Sequence, residues 1–158
     1  MDKISIRYFG KSATKKLDIL LKIPLVSTLI KRKLKKNLGL TRARSTVSGS
    51  APIPLSQISW FRKLGIYITN GYGMTENCAI CTQVDGRDFE KSASVGKPQC
   101  GVEVKIDHNS EEVFMRGPFV MDGYYKNEKL TKETLKAGWL HTGDKGYLDE
   151  DGYLLLVG

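Results

Sequence analysis

Apolar positions in this chain change period along its length. From Thr14 to Leu38 they recur at helical spacing: Leu17, Leu20 and Leu21, a break at Pro24, then Val26, Ile30, Leu34 and Leu38 four residues apart. Proline lacks an N–H and has a fixed φ, so Pro24 suits the first turn of a second helix, and Gly39 suits the residue that ends it. The segment predicts two helices. Ahead of it, Ile4 to Phe9 is compatible with a short strand and Gly10 with a turn. Arg44 to Ser48 predicts a strand running into Gly49-Ser50-Ala51-Pro52. After Pro54, the spacing of Ile58, Phe61 and Leu64 predicts a helix stopped by Gly65, then a brief strand from Ile66 to Ile68 and a helix starting near Thr75. Strand, helix, strand, helix implies a parallel pair with a right-handed crossover, and such sheets bind ligands beyond the carboxyl ends of their strands.

A polar loop from Asp85 to Ser94 follows, and beyond it the period falls to two. Val102, Val104 and Ile106 alternate with Glu103 and Lys105, His108-Asn109-Ser110 marks a turn, and Glu112 to Arg116 returns as the partner strand. Tyr147-Leu148 and Tyr153 to Val157 flank Asp149-Glu150-Asp151-Gly152 as a second hairpin, and Asn127 to Lys136 predicts a short polar helix. The expected fold is α/β: a basic helical segment (1–43), a parallel-sheet α/β unit (44–94) and a small, mostly antiparallel β unit (95–158).

Composition changes this picture little. With 158 residues, 41% hydrophobic and 27% charged, the balance is globular, and the net charge of +8 requires a basic surface. Much of that charge lies in Lys31-Arg32-Lys33 and Lys35-Lys36 on the second predicted helix. Such a helix can contact an anionic membrane surface or RNA; equally, it is a solvated face with cations near the helix C-terminus, where the dipole favours them. Three cysteines, Cys78, Cys81 and Cys100, are too few for a disulfide framework and favour a reducing, cytoplasmic setting. Cys78 and Cys81 form a CxxC, but no second pair completes a zinc site nearby, so they read as small residues at a helix start. No apolar run is long enough to span a membrane.

The chemistry concentrates at Gly71-Tyr72-Gly73-Met74-Thr75-Glu76. Glycines let the backbone approach a ligand and present the Tyr72 ring to a flat base, while Thr75 offers a hydroxyl and Glu76 a hard oxygen ligand, as a phosphate and its magnesium ion require. The plain alternative is a Gly-rich turn between strand and helix. Thr142-Gly143-Asp144 places a carboxylate after a glycine turn, where it could accept bonds from neighbouring hydroxyls. His141 has no paired acid or nucleophile in sequence and reads as structural, and His108 falls in a turn.

Four stretches in order, Ser48-Gly49-Ser50-Ala51-Pro52, Gly71 to Glu76, Arg116-Gly117-Pro118 with Gly123-Tyr124-Tyr125, and Gly138-Trp139 leading to Thr142-Gly143-Asp144, resemble the motifs of the adenylate-forming superfamily. That superfamily includes acyl-CoA synthetases, luciferases and peptide-synthetase adenylation domains. The resemblance covers about Arg44 to Gly158. It implies a distorted barrel for the β unit and a reaction in which a carboxylic acid is activated by ATP to an acyl-adenylate and passed to coenzyme A. It also implies roles. Gly49, Ser50, Ala51 and Pro52 would line the adenine and the near end of the acyl pocket, and Gly71, Gly73 and Met74 would complete the nucleotide loop. Tyr72 would stack on adenine, Thr75 would contact the α-phosphate, Glu76 would bind Mg²⁺, and Asp144 would hold the ribose. The family's phosphate loop would precede residue 1, and its hinge and C-terminal domain would follow Gly158, so the chain is expected to be a piece without turnover of its own. The basic helical segment is most similar to long-chain fatty acid CoA ligases. Another acid, a carrier-protein thiol, or a non-enzymatic basic binding module remain alternatives; no nucleic acid partner is expected of the ligase.

Overall fold

The computed structural model describes residues 17–79 and 81–157. The strand expected from Ile4 to Phe9, the turn at Gly10 and the first residues of the first expected helix lie outside them. Of the described residues, those up to Thr46 together with Ile53–Ile68 form one compact unit, and Val47–Pro52 with those from Thr69 onward form a second.

The first unit is helical. A short helical segment at 17–20 precedes α1 (Pro24–Asn37), and α2 spans Leu55–Lys63. Pro24 stands in the first turn of α1, as its chemistry predicts. Both helices end in the same way. At α1 the N–H of Gly39 donates to Lys36 O and that of Leu40 to Lys35 O; at α2 Gly65 donates to Arg62 O and Ile66 to Phe61 O. These paired bonds satisfy carbonyls that a helix end leaves without partners, and they need a left-handed residue, met by Gly39 at φ 73° and Gly65 at φ 70°. Trp60, Leu64 and Ile66 form the core of this unit, with Leu21, Leu34, Leu40 and Phe61 packed against it. The Lys35 ammonium donates to Gly65 O at 2.9 Å, so one cation of the basic run serves the end of α2.

Among the described residues, nine strands make two sheets. The first is mixed, in the order β1-β2-β3-β4, with β1 at Thr46–Ser48, β2 at Ile68–Tyr72, β3 at Thr82–Val84 and β4 at Lys97–Pro98. β3 runs antiparallel to both β2 and β4. Two expectations need correction here. The strand expected at Ile66 to Ile68 runs instead from Ile68 to Tyr72, because pairing of Asn70, Gly71 and Tyr72 with Val84, Gln83 and Thr82 outweighs the low strand propensity of Asn and Gly. The helix expected from Thr75 is a single 3-10 turn, Thr75–Asn77, ended by Cys78 at φ 58° and Ala79 at φ 78°.

The second sheet is antiparallel, in the order β5-β6-β8-β7, with β9 also on β8. Its strands are β5 (Glu103–Ile106), β6 (Glu112–Arg116), β7 (Leu135–Lys136), β8 (Trp139–Leu148) and β9 (Leu154–Val157). The first hairpin matches its expectation, with Asp107 Oδ2 accepting from the N–H groups of Asn109 and Ser110 in the turn. The second pairs Leu148 with Leu154 across the Asp149–Gly152 turn, also as expected. α3 (Glu128–Thr134) is capped by Asn127, whose side chain accepts from Leu130 N, and gives way to β7 where the polar helix was expected to continue to Lys136. The distorted barrel is an open sheet among the described residues, since no pairing joins β5 to β7 or β9. The core of this unit is Tyr72, Cys81, Val113, Met115, Leu140 and Leu154.

Candidate functional site

β2 carries Tyr72 into the core of the second unit, where the side chain is 9% exposed, and its hydroxyl donates to Asp144 Oδ2 at 2.5 Å. Burial and the neighbouring carboxylate both hold this phenol protonated, well above the ordinary tyrosine range. Residues 72 positions apart in sequence thus meet within one unit, and Asp144 itself stays exposed.

Asp144 was expected after a glycine turn; it lies inside the ten-residue strand β8. The strand bulges there. Glu112 pairs with Lys145 and Phe114 with His141, so Val113 alone faces Thr142, Gly143 and Asp144. Extra residues of this kind re-aim side chains, and Gly143 at φ 75° supplies the left-handed backbone. The bulge is tied down at each residue. Thr142 Oγ1 donates to Val113 O at 2.7 Å, the Asp144 N–H donates to Thr142 Oγ1 at 3.2 Å, and the Gly143 N–H donates to Glu112 Oε1 at 3.0 Å. His141 Nδ1 lies 3.7 Å from Glu112 Oε2, an acid that its sequence surroundings did not supply, and its ring centroid lies 4.1 Å from that of Phe114 with the planes tilted by 44°.

Glu76 sits in the 3-10 turn and is held from two directions. Tyr124 donates its hydroxyl to Glu76 Oε1 at 2.6 Å, and the Met121 N–H donates to Glu76 O at 2.8 Å. The bond to the carboxylate raises the Tyr124 phenol above its ordinary range. Tyr124 is fixed in turn by Thr131, whose Oγ1 accepts its N–H at 2.9 Å; a Cβ on Gly123 would come within 2.7 Å of Thr131, so only glycine fits beside it. Asn77, fully buried, takes the Met74 N–H on Oδ1 at 2.7 Å and donates to Met115 Sδ at 3.3 Å. Thr75 is exposed beside them, and Gly73 and Met74 are half-buried.

Gly49, Ser50, Ala51 and Pro52 form an exposed loop after β1. A Cβ on Gly49 would lie 3.3 Å from Gly71 O, a spacing that brings this loop against β2, and Ser50 takes φ 64°. All the residues singled out in sequence for the nucleotide site therefore belong to the second unit. Cys78 and Cys81 do not converge on a site: Cys78 is exposed, while Cys81 is buried, donates to Asn77 O, and has its thiol pushed up to about 11 by that burial. Tyr124, Asn77 and Glu112 were not singled out as site residues. Tyr124 stood in a quoted motif, but nothing in sequence ties it to a carboxylate 48 residues away.

The arrangement offers two exposed or half-buried carboxylates, each steadied by a phenol, in the unit that also holds the exposed Gly49–Pro52 loop. Residues 16–125 match the model of the AMP-binding enzyme family. A 2-succinylbenzoate–CoA ligase of Oceanobacillus iheyensis is 36% identical over 149 residues, covering 86% of this chain and 31% of the relative. A protein named as a fatty-acid–CoA ligase, fadD11, of Mycobacterium tuberculosis is 40% identical over 130 residues, covering 82% of this chain and 22% of the relative. The chain thus spans about a third or less of these relatives. Among solved structures, o-succinylbenzoate coenzyme A synthetase from Bacillus subtilis in complex with AMP aligns with TM-score 0.66 and 34% identity over 72% of this chain and 25% of that one; the same enzyme is known in complex with ATP and magnesium ion. On the match over residues 16–125, this chain belongs to the AMP-binding enzyme family.

Proposed function

We propose that this chain forms the nucleotide and metal side of an adenylate-forming acid–CoA ligase, which activates a carboxylic acid with ATP and transfers it to coenzyme A. The observation that carries this reading is the Tyr72 to Asp144 hydrogen bond at 2.5 Å, which unites two separate motifs around an exposed carboxylate. The residues fit the group. Asp144 is raised on a bulge to accept bonds from ribose hydroxyls, and Gly49 removes the side chain that would crowd Gly71 O beside the base. Glu76 offers one carboxylate, and magnesium bound together with nucleotide phosphates commonly takes only one or two from the protein. ATP and Mg²⁺ supply the phosphoryl chemistry when bound; the chain's own residues hold and orient, Thr75 by its hydroxyl and Glu76 and Asp144 by charge, while Tyr72, whose ring is buried in the core, steadies Asp144 in place of the base stacking expected of it.

The acid in this proposal is a long-chain fatty acid. Support comes from the basic helical segment ahead of Ser48 to Pro52 and from the fatty-acid–CoA ligase name of one relative. A ligase that contains this chain is expected to form thioester from palmitate in preference to 2-succinylbenzoate, and the reverse preference overturns this part alone.

The test of the nucleotide site is an AMP titration of isotope-labelled chain followed by NMR. Saturable amide shifts clustered at Gly71 to Glu76 and around Asp144, lost in Asp144→Ala, are expected. A well-folded spectrum without those shifts refutes nucleotide binding by this chain.

A further inference from the structure

The first unit exposes more apolar surface than its own core requires. Ile19, Leu20, Ile23, Leu25 and Leu29 are all exposed, Leu25 to 82% and Leu29 to 69%. The pattern on α1 is directional. Ser27 and Leu34 face the core, whereas Leu25, Leu29, Arg32 and Lys36, spaced at four, three and four residues, share the opposite stripe, with Lys33 exposed at its edge. The outer face is therefore apolar over the first two turns and basic over the last two. Lys35 is excluded from it, since its ammonium is bonded to Gly65 O. Between residues 17 and 40 the only acidic side chain is Asp18, and Lys63 pairs with it at 3.1 Å. Among the described residues, no acidic side chain forms an ion pair with Arg32, Lys33 or Lys36.

We propose that the outer face of α1 docks on an anionic lipid surface, with Leu25 and Leu29 entering the boundary of the acyl chains and Arg32, Lys33 and Lys36 meeting the headgroup phosphates. Charge complementarity identifies the occupant. A helix lying in a bilayer interface needs large apolar side chains on one stripe and cations beside them, and a membrane supplies the matching oil and anion together in any register. Among the described residues no helix is long and apolar enough to cross a membrane, so the contact is peripheral. The inference is independent of the nucleotide site, because every residue it uses lies in the other unit.

The experiment is co-sedimentation of the chain with vesicles of phosphatidylcholine alone and of phosphatidylcholine mixed with phosphatidylglycerol. Binding to the anionic vesicles, weakened by salt, is expected. Replacing Arg32, Lys33 and Lys36 by Gln lowers the partition coefficient by roughly a hundredfold if each cation near an anionic surface contributes as usual. The same loss of three cations at Lys126, Lys129 and Lys136 changes it little. Leu25→Glu with Leu29→Glu abolishes binding, while circular dichroism shows α1 retained, since both side chains are exposed in the free protein. Three results overturn the proposal: equal affinity for neutral and anionic vesicles, full binding by the double leucine variant, or equal weakening by both triple lysine and arginine variants. Self-association in sedimentation equilibrium that the leucine variant abolishes, with no vesicle binding, assigns the face to a second copy and overturns it as well.

Discussion

Tyr72 and Tyr124 each hold a carboxylate by a phenolic hydrogen bond, at 2.5 and 2.6 Å, and the two bonds differ in what they should control. A bond to an ionised acceptor contributes about 1.5–3 kcal/mol when well shielded. Tyr124 is half-buried, so the lower end of that range applies, equivalent to roughly a tenfold change in an equilibrium constant. Its removal leaves Glu76 free to rotate away from the geometry that a metal needs. In Tyr124→Phe the Mg²⁺ concentration that half-shifts the Glu76 amide of the ATP-loaded chain is therefore expected to rise about tenfold. Tyr72→Phe keeps the ring and frees Asp144, so it should weaken AMP binding while leaving the metal midpoint near that of the parent. NMR titrations of the two variants decide it: an unmoved metal midpoint in Tyr124→Phe removes Tyr124 from any positioning role.

The elements owe their limits to a few backbone positions, and two glycines separate two kinds of cost. A Cβ on Gly39 would meet nothing within 4 Å, so Gly39→Ala pays only for the left-handed conformation at φ 73°, about 1–2 kcal/mol. Gly96 lies at φ 93°, where a Cβ would sit 1.8 Å from Gln83 C, inside the backbone of β3. Gly96→Ala adds a clash to the same backbone strain, and a loss of roughly 2–5 kcal/mol is expected. Urea denaturation of both variants measures the contrast, and equal losses would show that β3 moves aside without cost. Such positions also explain what could be read in advance. Pro24, Gly39, Gly65 and Gly152 act locally, through φ and a missing N–H, so helix ends and hairpin turns were legible from sequence. Strand β2 was not, because Asn70 and Gly71 have weak strand preferences and are extended by pairing with β3. The bulge in β8 was also hidden, since Gly143 looks the same in a turn and in a strand until Glu112 and Phe114 fix the register on either side. The motif residues of the candidate site were legible, whereas Tyr124 and Glu112 brace them across 48 and 31 residues, and Asn77, three residues from Met74, is itself held by Met115 38 residues away.

At the scale of the molecule, Met115 joins the core of the second unit to the candidate site, as Tyr72 does through Asp144. Met115 is fully buried in β6, opposite Leu140 of β8 and Val104 of β5, and its sulfur accepts the Asn77 amide that also fixes Met74. Packing and site geometry can be separated there by choice of substitution. Met115→Ala removes buried volume and leaves the Asn77 amide without its acceptor, so a loss of about 2–5 kcal/mol is expected from the cavity alone. Met115→Leu conserves most of the volume and removes only the sulfur, so its cost should stay below about 1.5 kcal/mol. If the sulfur steadies the 3-10 turn, Met115→Leu should still move the amide resonances of Met74, Thr75 and Glu76 and weaken AMP binding, despite a urea midpoint close to that of the parent. Unmoved resonances in a Met115→Leu protein of near-parental stability would mean that Asn77 holds the turn through Met74 alone, and that the core supports the site by bulk packing without a specific bond.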